Sequence, residues 1–454
     1  MRFEDILNSQ RSFFLQQKTR PIPFRKMQLE LFLKCIERNK EALNTAVEED
    51  FGKSSFDTYS TEISMLISEI KFFIRNLEKL SRPQRVGTNL ANLPGSSKII
   101  PEPLGNTLII GAWNYPIQLS LLPCVAAIAA GNTVILKPSE IAPSTMKAIK
   151  NIISSTFRSE LFAVVEAGPK ETEELLKHKF DKIFFTGSTK IGKLVYEAAA
   201  KNLTPVTLEL GGKSPVIVTK HANFPVAAKR IVWGKFLNAG QTCIAPDYLY
   251  IEESVKDKFL EYLREYIVKF NYSSESPHYT KIINERNFNR LKALVDPNKI
   301  YFGGEFDIEK RFISPTLLHH VSWSDEIMQE EIFGPLMPVL TFNNLRQVIT
   351  DINQKATPLA AYLFSDNKEE KKQFLENLSF GGGCINDVLM HVSNPKLPFG
   401  GKGNSGIGNY HGKQSFLAFS HYKSILNKST WGEPDIKYPP YSEKKLGWIK
   451  RLLG

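Results

Sequence analysis

Residues 106–140 of this 454-residue chain read NTLIIGAWNYPIQLSLLPCVAAIAAGNTVILKPSE. Two short apolar runs, NTLII and NTVIL, flank a longer apolar segment that reaches Gly131. Parallel strands need a crossover of a dozen or more residues, and a helix of this length supplies one. The stretch therefore predicts a strand, a helix that ends at Gly131, and a second buried strand that stops at Pro138.

The same alternation continues along the chain. A helix near Ser144 to Phe157, the apolar runs FAVVEAG and KIFFTGS, and the helical KIGKLVYEAAAK follow in order. Apolar strands separated by helices are typical of a parallel sheet that is covered on both faces. The pattern repeats less regularly after TPVTLELGG, which indicates a second α/β domain. The first eighty residues show helical periodicity, with Gly52 as a stop.

Composition excludes several classes of protein. Hydrophobic residues make up 42% of the chain and charged residues 23%, as in an ordinary globular protein. The net charge is +11, but the basic residues are scattered, so we do not expect nucleic acid as a partner. The histidines show no HExxH or similar spacing, so no metal site is predicted.

The four cysteines are far apart and include no CxxC pair, which disfavours a zinc ribbon or a disulfide framework and favours a reducing compartment. The N-terminal MRFEDILNSQ carries acids where a signal peptide would have its apolar core. We therefore expect a cytoplasmic protein.

One cysteine has unusual neighbours. FLNAGQTCIAPDY places Cys243 beside small and polar residues, whereas structural cysteines usually sit among large apolar ones. Glu209 lies in the apolar LELGGK, where partial desolvation would raise its pKa toward the range of a general base. Asn114, in WNYP, follows the first apolar strand and could donate to an oxyanion. A purely structural explanation remains open for each residue alone.

Other residues stand where parallel sheets bind ligands, after strands. FFTGSTKIGK places Gly187 and Gly192 between a strand and a helix, where phosphate could bind. The motif nearly matches a P-loop, but Leu194 replaces the hydroxyl that Mg²⁺ needs. Lys137 and Glu140 of LKPSE could bind ribose or phosphate oxygens. A plain turn and a pair of solvated charges remain the alternatives.

Seven ordered stretches resemble the aldehyde dehydrogenase superfamily: WNYP, GNTVILKPSE, FFTGSTKIG, LELGGKSP, NAGQTCIAPDY, EEIFGP and LPFGGKGNSGIGNYHGKQSFLAFSH. They span nearly the whole chain and are together far more specific than any one of them. QTCIAPDY and the ending YHGKQSFLAFSH are similar to the class 3 branch, which includes fatty and aromatic aldehyde dehydrogenases and is typically dimeric. Lys402 departs from the pattern, since many members carry valine or another small residue there.

The resemblance implies an α/β fold of the aldehyde dehydrogenase type, with a Rossmann-type cofactor domain, an α/β catalytic domain and a small bridging or oligomerisation element. The implied boundaries are 1–81 and 104–210 for the NAD(P)-binding domain, 211–400 for the catalytic domain, 82–103 and 401–430 for the bridging segments, and 431–454 for a C-terminal tail.

The resemblance also implies roles for the candidate residues. Cys243 would be the nucleophile, Asn114 would hold the oxyanion together with the N–H of Cys243, and Glu209 would activate the water that hydrolyses a thioester. Glu140 would face the adenosine ribose and repel a 2′-phosphate, so NAD is expected to be preferred and NADP tolerated. The implied cofactor-binding residues are Lys137, Glu140, Gly187, Ser188, Gly192, Glu331, Phe333 and Trp113.

These observations predict an NAD(P)-dependent enzyme that oxidises an aliphatic or aromatic aldehyde to the acid. One alternative is an enzyme that passes the thioester to coenzyme A, which the Glu209 motif disfavours. A catalytically silent member is disfavoured by the intact Cys243, Glu209 and Asn114, and a P-loop hydrolase is disfavoured by Leu194.

The tail YPPYSEKKLGWIKRLLG predicts a short basic amphipathic helix, with Leu446, Ile449 and Leu453 at helical spacing. A helix of this length is marginal in water, so it needs a surface. We expect that surface to be a homodimer partner or another part of the chain, or an anionic membrane contacted weakly and peripherally.

Overall fold

The computed structural model describes residues 3–453, and nothing is described for Met1, Arg2, Gly454 or the side chain of Leu453. The chain begins with helices, as its periodicity predicts, and α3 ends at Gly52 in a left-handed conformation with φ of 63°. A π-helical turn, Tyr59–Ile63, connects α4 to α5. The helices are α1 (Phe3–Leu15), α2 (Ile22–Arg38), α3 (Lys40–Phe51), α4 (Ser55–Thr58) and α5 (Ser64–Ser81).

An antiparallel hairpin, β1 (Gln84–Val86) and β2 (Gly95–Pro103), follows in the segment assigned to bridging. Five parallel strands come next, and α6 ends before Gly131, which has φ of 96°. Nearly all residues of these five strands are buried, because helices cover both faces of the sheet. The strands are β3 (Asn106–Ile110), β4 (Thr133–Lys137), β5 (Phe162–Val164), β6 (Lys182–Thr186) and β7 (Val206–Glu209). The helices are α6 (Pro116–Ala130), α7 (Pro143–Thr156), α8 (Pro169–Leu176) and α9 (Thr189–Ala200).

The spatial order of these strands is β7-β6-β3-β4-β5. The chain proceeds outward from β3 through β4 to β5, and then crosses back to place β6 on the other side of β3. A crevice forms at such a reversal, at the carboxyl ends of the two strands, and ligands bind there in open α/β sheets. The segments that follow Ile110 and Thr186 therefore border the expected binding site.

The second domain contains a seven-stranded sheet of order β10-β13-β14-β9-β8-β15-β16, parallel except for β10. Its strands are β8 (Pro215–Val218), β9 (Tyr248–Glu252), β10 (Ile300–Phe302), β13 (Thr316–Leu318), β14 (Leu336–Phe342), β15 (Ala360–Phe364) and β16 (Gly382–Ile385), and β11 (Phe306–Asp307) pairs with β12 (Phe312–Ile313) outside it. Its helices are α10 (Phe224–Phe236), α11 (Lys256–Phe270), α12 (Glu285–Ala293), α13 (Leu345–Asn353) and α14 (Lys368–Asn377). The α/β fold predicted from the sequence is confirmed.

The C-terminal part of the chain returns to the first domain. The short strand β17 (Gly406–Ile407) pairs antiparallel with β7 and so adds an edge strand to the sheet of the first domain. The strand β18 (Ser420–Lys428) follows the helix α15 (Lys413–Ala418) and completes a three-stranded sheet of order β1-β2-β18. The last helix is α16 (Glu443–Leu453). Within residues 3–453, we find no helix with the length and apolar character that crossing a membrane requires.

The pairing of β17 with β7 depends on a close backbone approach at Gly406. A Cβ at this position would lie 2.6 Å from the backbone oxygen of Leu208. We expect Gly406→Ala to destabilise the protein by about 1–3 kcal/mol through overpacking. Its thermal unfolding midpoint should fall by about 1–3 °C, because an unfolding entropy of about 2.1 cal/mol/K per residue corresponds to roughly 1 °C per kcal/mol for a chain of 454 residues. Gly87→Ala is the control, because its added Cβ would meet open space, and equal midpoints for the two variants would contradict this explanation.

Candidate active site

A cavity of about 460 Å³ opens between the two domains, beside the crevice described above. Cys243 and Glu209 both line it, and its walls are predominantly apolar. The apolar walls include Met65, Leu119, Leu122, Trp233, Leu237, Ile244, Leu389, Met390, Val392 and Phe399. A cavity of this size and character suits an organic molecule with a large apolar part.

A turn with unusual backbone angles positions Cys243. After α10 ends, Asn238, Ala239 and Gly240 all have positive φ, at 55°, 50° and 72°. A Cβ at Gly240 would lie 2.3 Å from the backbone oxygen of Gly334, so the position requires glycine. The turn brings Cys243 to the cavity wall with its side chain half-buried.

The electrostatic surroundings of Cys243 favour the neutral thiol. Burial raises the pKa of the Cys243 thiol well above its usual range, and the nearby carboxyl groups of Glu331 and Glu209 raise it further. The backbone N–H groups of Cys243 and Ile244 act in the opposite direction, because they stabilise a negative sulfur. Attack by this sulfur therefore requires that its proton is first removed.

Asn114 lies beside the cysteine turn. Its side-chain Nδ2 donates to the backbone oxygen of Gln241 at 3.1 Å, and Asn238 Nδ2 donates to the backbone oxygen of Asn114 at 2.9 Å. An amide nitrogen carries two hydrogens, so Asn114 keeps one donor beyond the bond to Gln241. The bond to Gln241 places Asn114 beside the turn that carries Cys243, although the two residues lie far apart in the sequence.

Glu209 ends β7 and is buried. Neither of its carboxyl oxygens has a hydrogen-bond partner among residues 3–453. Burial raises the pKa of Glu209 well above its ordinary value, because a charged carboxylate is poorly solvated there. A buried carboxyl without a protein partner on the wall of a cavity is suited to exchange a proton with a water molecule.

The EEIFGP loop of the second domain packs against Gly211, two residues beyond the end of β7. The side chain of Glu331 lies over Gly211, where a Cβ would come within 1.9 Å of Glu331 Oε2. Burial, with a contribution from Asp247, raises the pKa of Glu331 to about 8. The ring of Phe333, whose φ is 52°, contacts the Trp113 ring edge-on, with 5.2 Å between centroids.

Two residues that hold this loop were not singled out from the sequence. Lys213 Nζ pairs with Asp247 at 2.5 Å and donates to the backbone oxygen of Glu330 at 2.9 Å. Asp247 also accepts the backbone N–H of Ile332 at 2.8 Å. The signal in the sequence was weak, since Lys213 and Asp247 are single charges within LGGKSP and APDY. They fix the backbone on both sides of Glu331.

The predicted cofactor-binding residues of the first domain lie at two places, the end of β4 and the start of α9. Lys137 at the end of β4 is buried and forms an ion pair with the half-buried Glu140. Ser188 is the N-cap of α9, since its hydroxyl accepts the backbone N–H of Ile191 at 3.4 Å. Gly187 lies at the turn before it, half-buried.

Gly192 is placed differently from the other crevice residues. It is buried, and a Cβ there would lie 2.5 Å from the side chain of Leu210. The missing side chain therefore lets α9 pack closely on Leu210. Gly187 and Ser188, by contrast, stand at the start of α9, where a helix N-terminus favours a phosphate group. With Lys137 and Glu140 nearby on the same edge, these residues fit a dinucleotide.

Comparison with known proteins agrees with this geometry. The model of the aldehyde dehydrogenase family matches residues 2–425. The 4,4′-diaponeurosporen-aldehyde dehydrogenase of Staphylococcus aureus is 47% identical over 447 residues, which cover 98% of this chain and 97% of that protein. Aldehyde dehydrogenase family 3 member A2 of Rattus norvegicus is 44% identical over 447 residues, covering 98% and 92%.

The solved structures include a substrate-bound state of Staphylococcus aureus AldH. It superposes on this chain with a TM-score of 0.98 and 45% sequence identity, and the match covers 100% of both chains. The resemblance to class 3 enzymes is thus confirmed, and the coenzyme A alternative is not favoured. The chain belongs to the aldehyde dehydrogenase family and is an enzyme that oxidises aldehydes with NAD(P)⁺.

Proposed function

We propose that this enzyme converts an apolar aldehyde, either aliphatic of medium to long chain or aromatic, to the free acid. The observation that carries the proposal is that a thiol and an unpartnered buried carboxyl, Cys243 and Glu209, line one apolar cavity of about 460 Å³. The thiol supplies a nucleophile, the carboxyl supplies a base, and the apolar walls supply binding energy for a hydrocarbon substituent.

In the proposed reaction, the Cys243 thiol first loses its proton to solvent water, and the deprotonated sulfur then forms a bond to the aldehyde carbon. The carbonyl π electrons move to oxygen, and the resulting oxyanion accepts hydrogen bonds from Asn114 Nδ2 and the N–H of Cys243. The bound nicotinamide supplies the acceptor for the hydride that leaves this carbon. The oxyanion returns its electrons to carbon as the hydride departs, which leaves a thioester on Cys243.

Hydrolysis of the thioester is assigned to Glu209. Its carboxylate takes a proton from a water molecule while the water oxygen attacks the thioester carbon. The same two donors hold the second oxyanion, and its collapse breaks the carbon–sulfur bond and releases the acid. Burial makes Glu209 a strong base once it has lost its proton, because the charged form is poorly solvated.

We assign the cofactor to the edge between the domains. The chain would hold the adenosine ribose with Lys137 and Glu140 and the pyrophosphate with Gly187 and Ser188. Across the crevice it would hold the nicotinamide ribose with Glu331, and the ring with Phe333 and Trp113. Gly192 would contribute through the close packing of α9, since it is buried against Leu210.

The two catalytic groups should fail in different ways. Cys243→Ala should abolish oxidation and leave cofactor binding intact, because only the nucleophile is lost. Glu209→Gln should still form the thioester, so a burst of about one equivalent of reduced nicotinamide should precede turnover slowed by about a hundredfold. Stopped-flow absorbance and a binding titration measure these quantities.

The control for the base is Glu376→Gln, which changes an exposed carboxylate on α14. It should match the unmodified enzyme in burst and in turnover. If Glu209→Gln also turned over at the unmodified rate, Glu209 would not be the base, and Glu331 would become the alternative.

Glu140 is the proposed determinant of cofactor choice. Like charges 4 Å apart repel by at most ~4 kcal/mol at an effective dielectric of about 20, and the ion pair with Lys137 offsets part of this. We therefore expect NAD to be preferred, and Glu140→Gln to raise kcat/KM for NADP by about tenfold or less. Glu174→Gln on α8 is the control, and a strong NADP preference in the unmodified enzyme would refute the placement of Glu140.

We propose that the enzyme is a homodimer in a cytoplasmic setting and that the apolar face of α16 packs on the second copy. Trp448 and Leu452, four residues apart and therefore on one face of this helix, are each more than 40% exposed. Lys445 donates to Asp435 and to the backbone oxygen of Tyr438, so the helix is already anchored to its own chain. A short anchored helix with an exposed apolar face fits a protein partner better than lipid, which such a helix binds only weakly.

Deletion of residues 442–454 tests this assignment. The shortened chain should lose dimer in native mass measurements, while binding to anionic vesicles should be absent with and without the tail. An unchanged dimer with unchanged thermal stability would exclude the packing role. Vesicle binding that disappears with the tail would instead assign the helix to a membrane surface.

A further inference from the structure

The proposed oxyanion site needs two donors at a fixed separation, and they come from two chain segments. Asn114 follows β3, and Cys243 follows α10. Two hydrogen bonds join the segment around Asn114 to the segment around Cys243, and each spans 127 positions of sequence. One runs from Asn114 Nδ2 to the backbone oxygen of Gln241, and the other joins the hydroxyls of Tyr115 and Thr242 at 2.6 Å. Each donor residue is thus adjacent in sequence to a residue of the Tyr115–Thr242 pair.

The hydroxyl of Tyr115 is suited to be the donor of this bond. Burial raises the pKa of the Tyr115 phenol far above its usual range, so the phenol keeps its proton. A phenol is also a stronger acid than an aliphatic hydroxyl, and therefore the better donor. Tyr115 and Thr242 both line the cavity that contains Cys243.

A buried cation holds the ring of Tyr115. Lys53 Nζ lies 4.3 Å from the ring centroid, a distance at which a cation is attracted to the face of an aromatic ring. The side chain of Lys53 is 1% exposed, and it pairs with Glu62, which is 0% exposed, at 2.8 Å. The ion pair is therefore shielded from water on all sides.

The other oxygen of Glu62 contacts the start of α6. It accepts the backbone N–H groups of Ile117 at 2.9 Å and Gln118 at 3.3 Å. These donors have no partner within their own helix, and a negative charge is favoured at this end of a helix. The π-helical turn Tyr59–Ile63 places Glu62 there, and such turns are frequent at functional sites.

We propose that Lys53, Glu62, Tyr115 and Thr242 form a positioning unit that sets the separation of the two oxyanion donors, Asn114 Nδ2 and the N–H of Cys243. Glu62 fixes the first turn of α6, directly after Asn114 and Tyr115. Lys53 fixes the tyrosine ring, and the tyrosine hydroxyl fixes the side chain of Thr242. Because Thr242 directly precedes Cys243, its position sets that of the Cys243 N–H. The inference rests on the proposed roles of Asn114 and Cys243.

Stability alone does not account for this arrangement. A buried ion pair loses solvation that its attraction repays only in part, and apolar pairs of similar volume are often as stable or more stable. An apolar pair could not accept the two N–H groups of α6 or place a cation over Tyr115. The geometry of the neighbouring site explains why charged groups stand here.

Tyr115→Phe is the first test, because it removes one oxygen and keeps the ring over Lys53. A small displacement of reacting groups costs up to about a hundredfold in rate. We expect the rate constant of the burst of reduced nicotinamide to fall by about tenfold, with cofactor affinity unchanged. Alkylation of Cys243 by iodoacetamide should stay within about twofold, since attack on a saturated carbon forms no oxyanion. Tyr266→Phe, on α11, is the control and should change neither rate.

Thr242→Val completes a double-mutant cycle with Tyr115→Phe. Both single variants and the double variant should slow the burst by the same factor, because each breaks the same hydrogen bond. Additive effects would overturn the coupling. Equal slowing of the burst and of Cys243 alkylation would also overturn the proposal, since it would show a general disturbance of the turn.

The ion pair is tested by Lys53→Met combined with Glu62→Gln, which leaves no uncompensated charge. Its thermal midpoint should stay close to that of the unmodified protein, while its burst slows as in Tyr115→Phe. An unchanged burst would remove the ion pair from the unit, and if this variant fails to fold, the Tyr115–Thr242 cycle still decides the proposal. Asn114→Ala distinguishes failure of the positioning unit from failure of the oxyanion site on which it rests. An unchanged burst in this variant would refute the oxyanion site itself.

Discussion

Hydrogen bonds from the side-chain amides of Asn114 and Asn238 to the backbone join the two domains at the candidate active site. Asn238 donates to the backbone oxygen of Asn114, and Asn114 donates to that of Gln241, all of them buried. Cys243, the proposed nucleophile, belongs to the second domain, whereas Glu209, the proposed base, ends a strand of the first. Their relative position therefore depends on these interdomain bonds, which the buried amides must make because an unpaired buried amide is costly.

Desolvation then determines the charge of the site. Burial raises the pKa values of the Cys243 thiol and of the Glu209 and Glu331 carboxyl groups, and it lowers the pKa of the nearby Lys235 to about 8. All four groups are shifted toward their neutral forms. A protonated carboxyl does not repel a developing oxyanion, so hydrogen-bond donors dominate the field that the oxyanion meets.

The sequence predicted the fold well because local signals there agree with the tertiary structure. Two helices end at Gly52 and Gly131, which adopt left-handed backbone angles, as the sequence predicts. The apolar strands of the first sheet also lie where their sequence patterns place them. Long-range partners were missed. Lys213 and Asp247 are 34 positions apart, and neither has a local pattern that indicates its partner. Gly192 likewise packs closely against Leu210, a contact that no local pattern in the sequence indicates.

Chemistry and substrate choice are separable in this architecture. The groups proposed to react, Cys243 and Glu209, lie in a turn and at a strand end, where short sequence motifs indicate them. The cavity walls come from helices and turns that are distant in sequence, including Met65 on α5, Trp233 on α10 and Met390 beyond β16. Within its own helix or turn, the sequence pattern around each of these residues does not distinguish it from an ordinary core or surface residue. The width of the cavity is therefore a tertiary property, which can change at any of these positions while the interdomain bonds keep the proposed nucleophile and base in place.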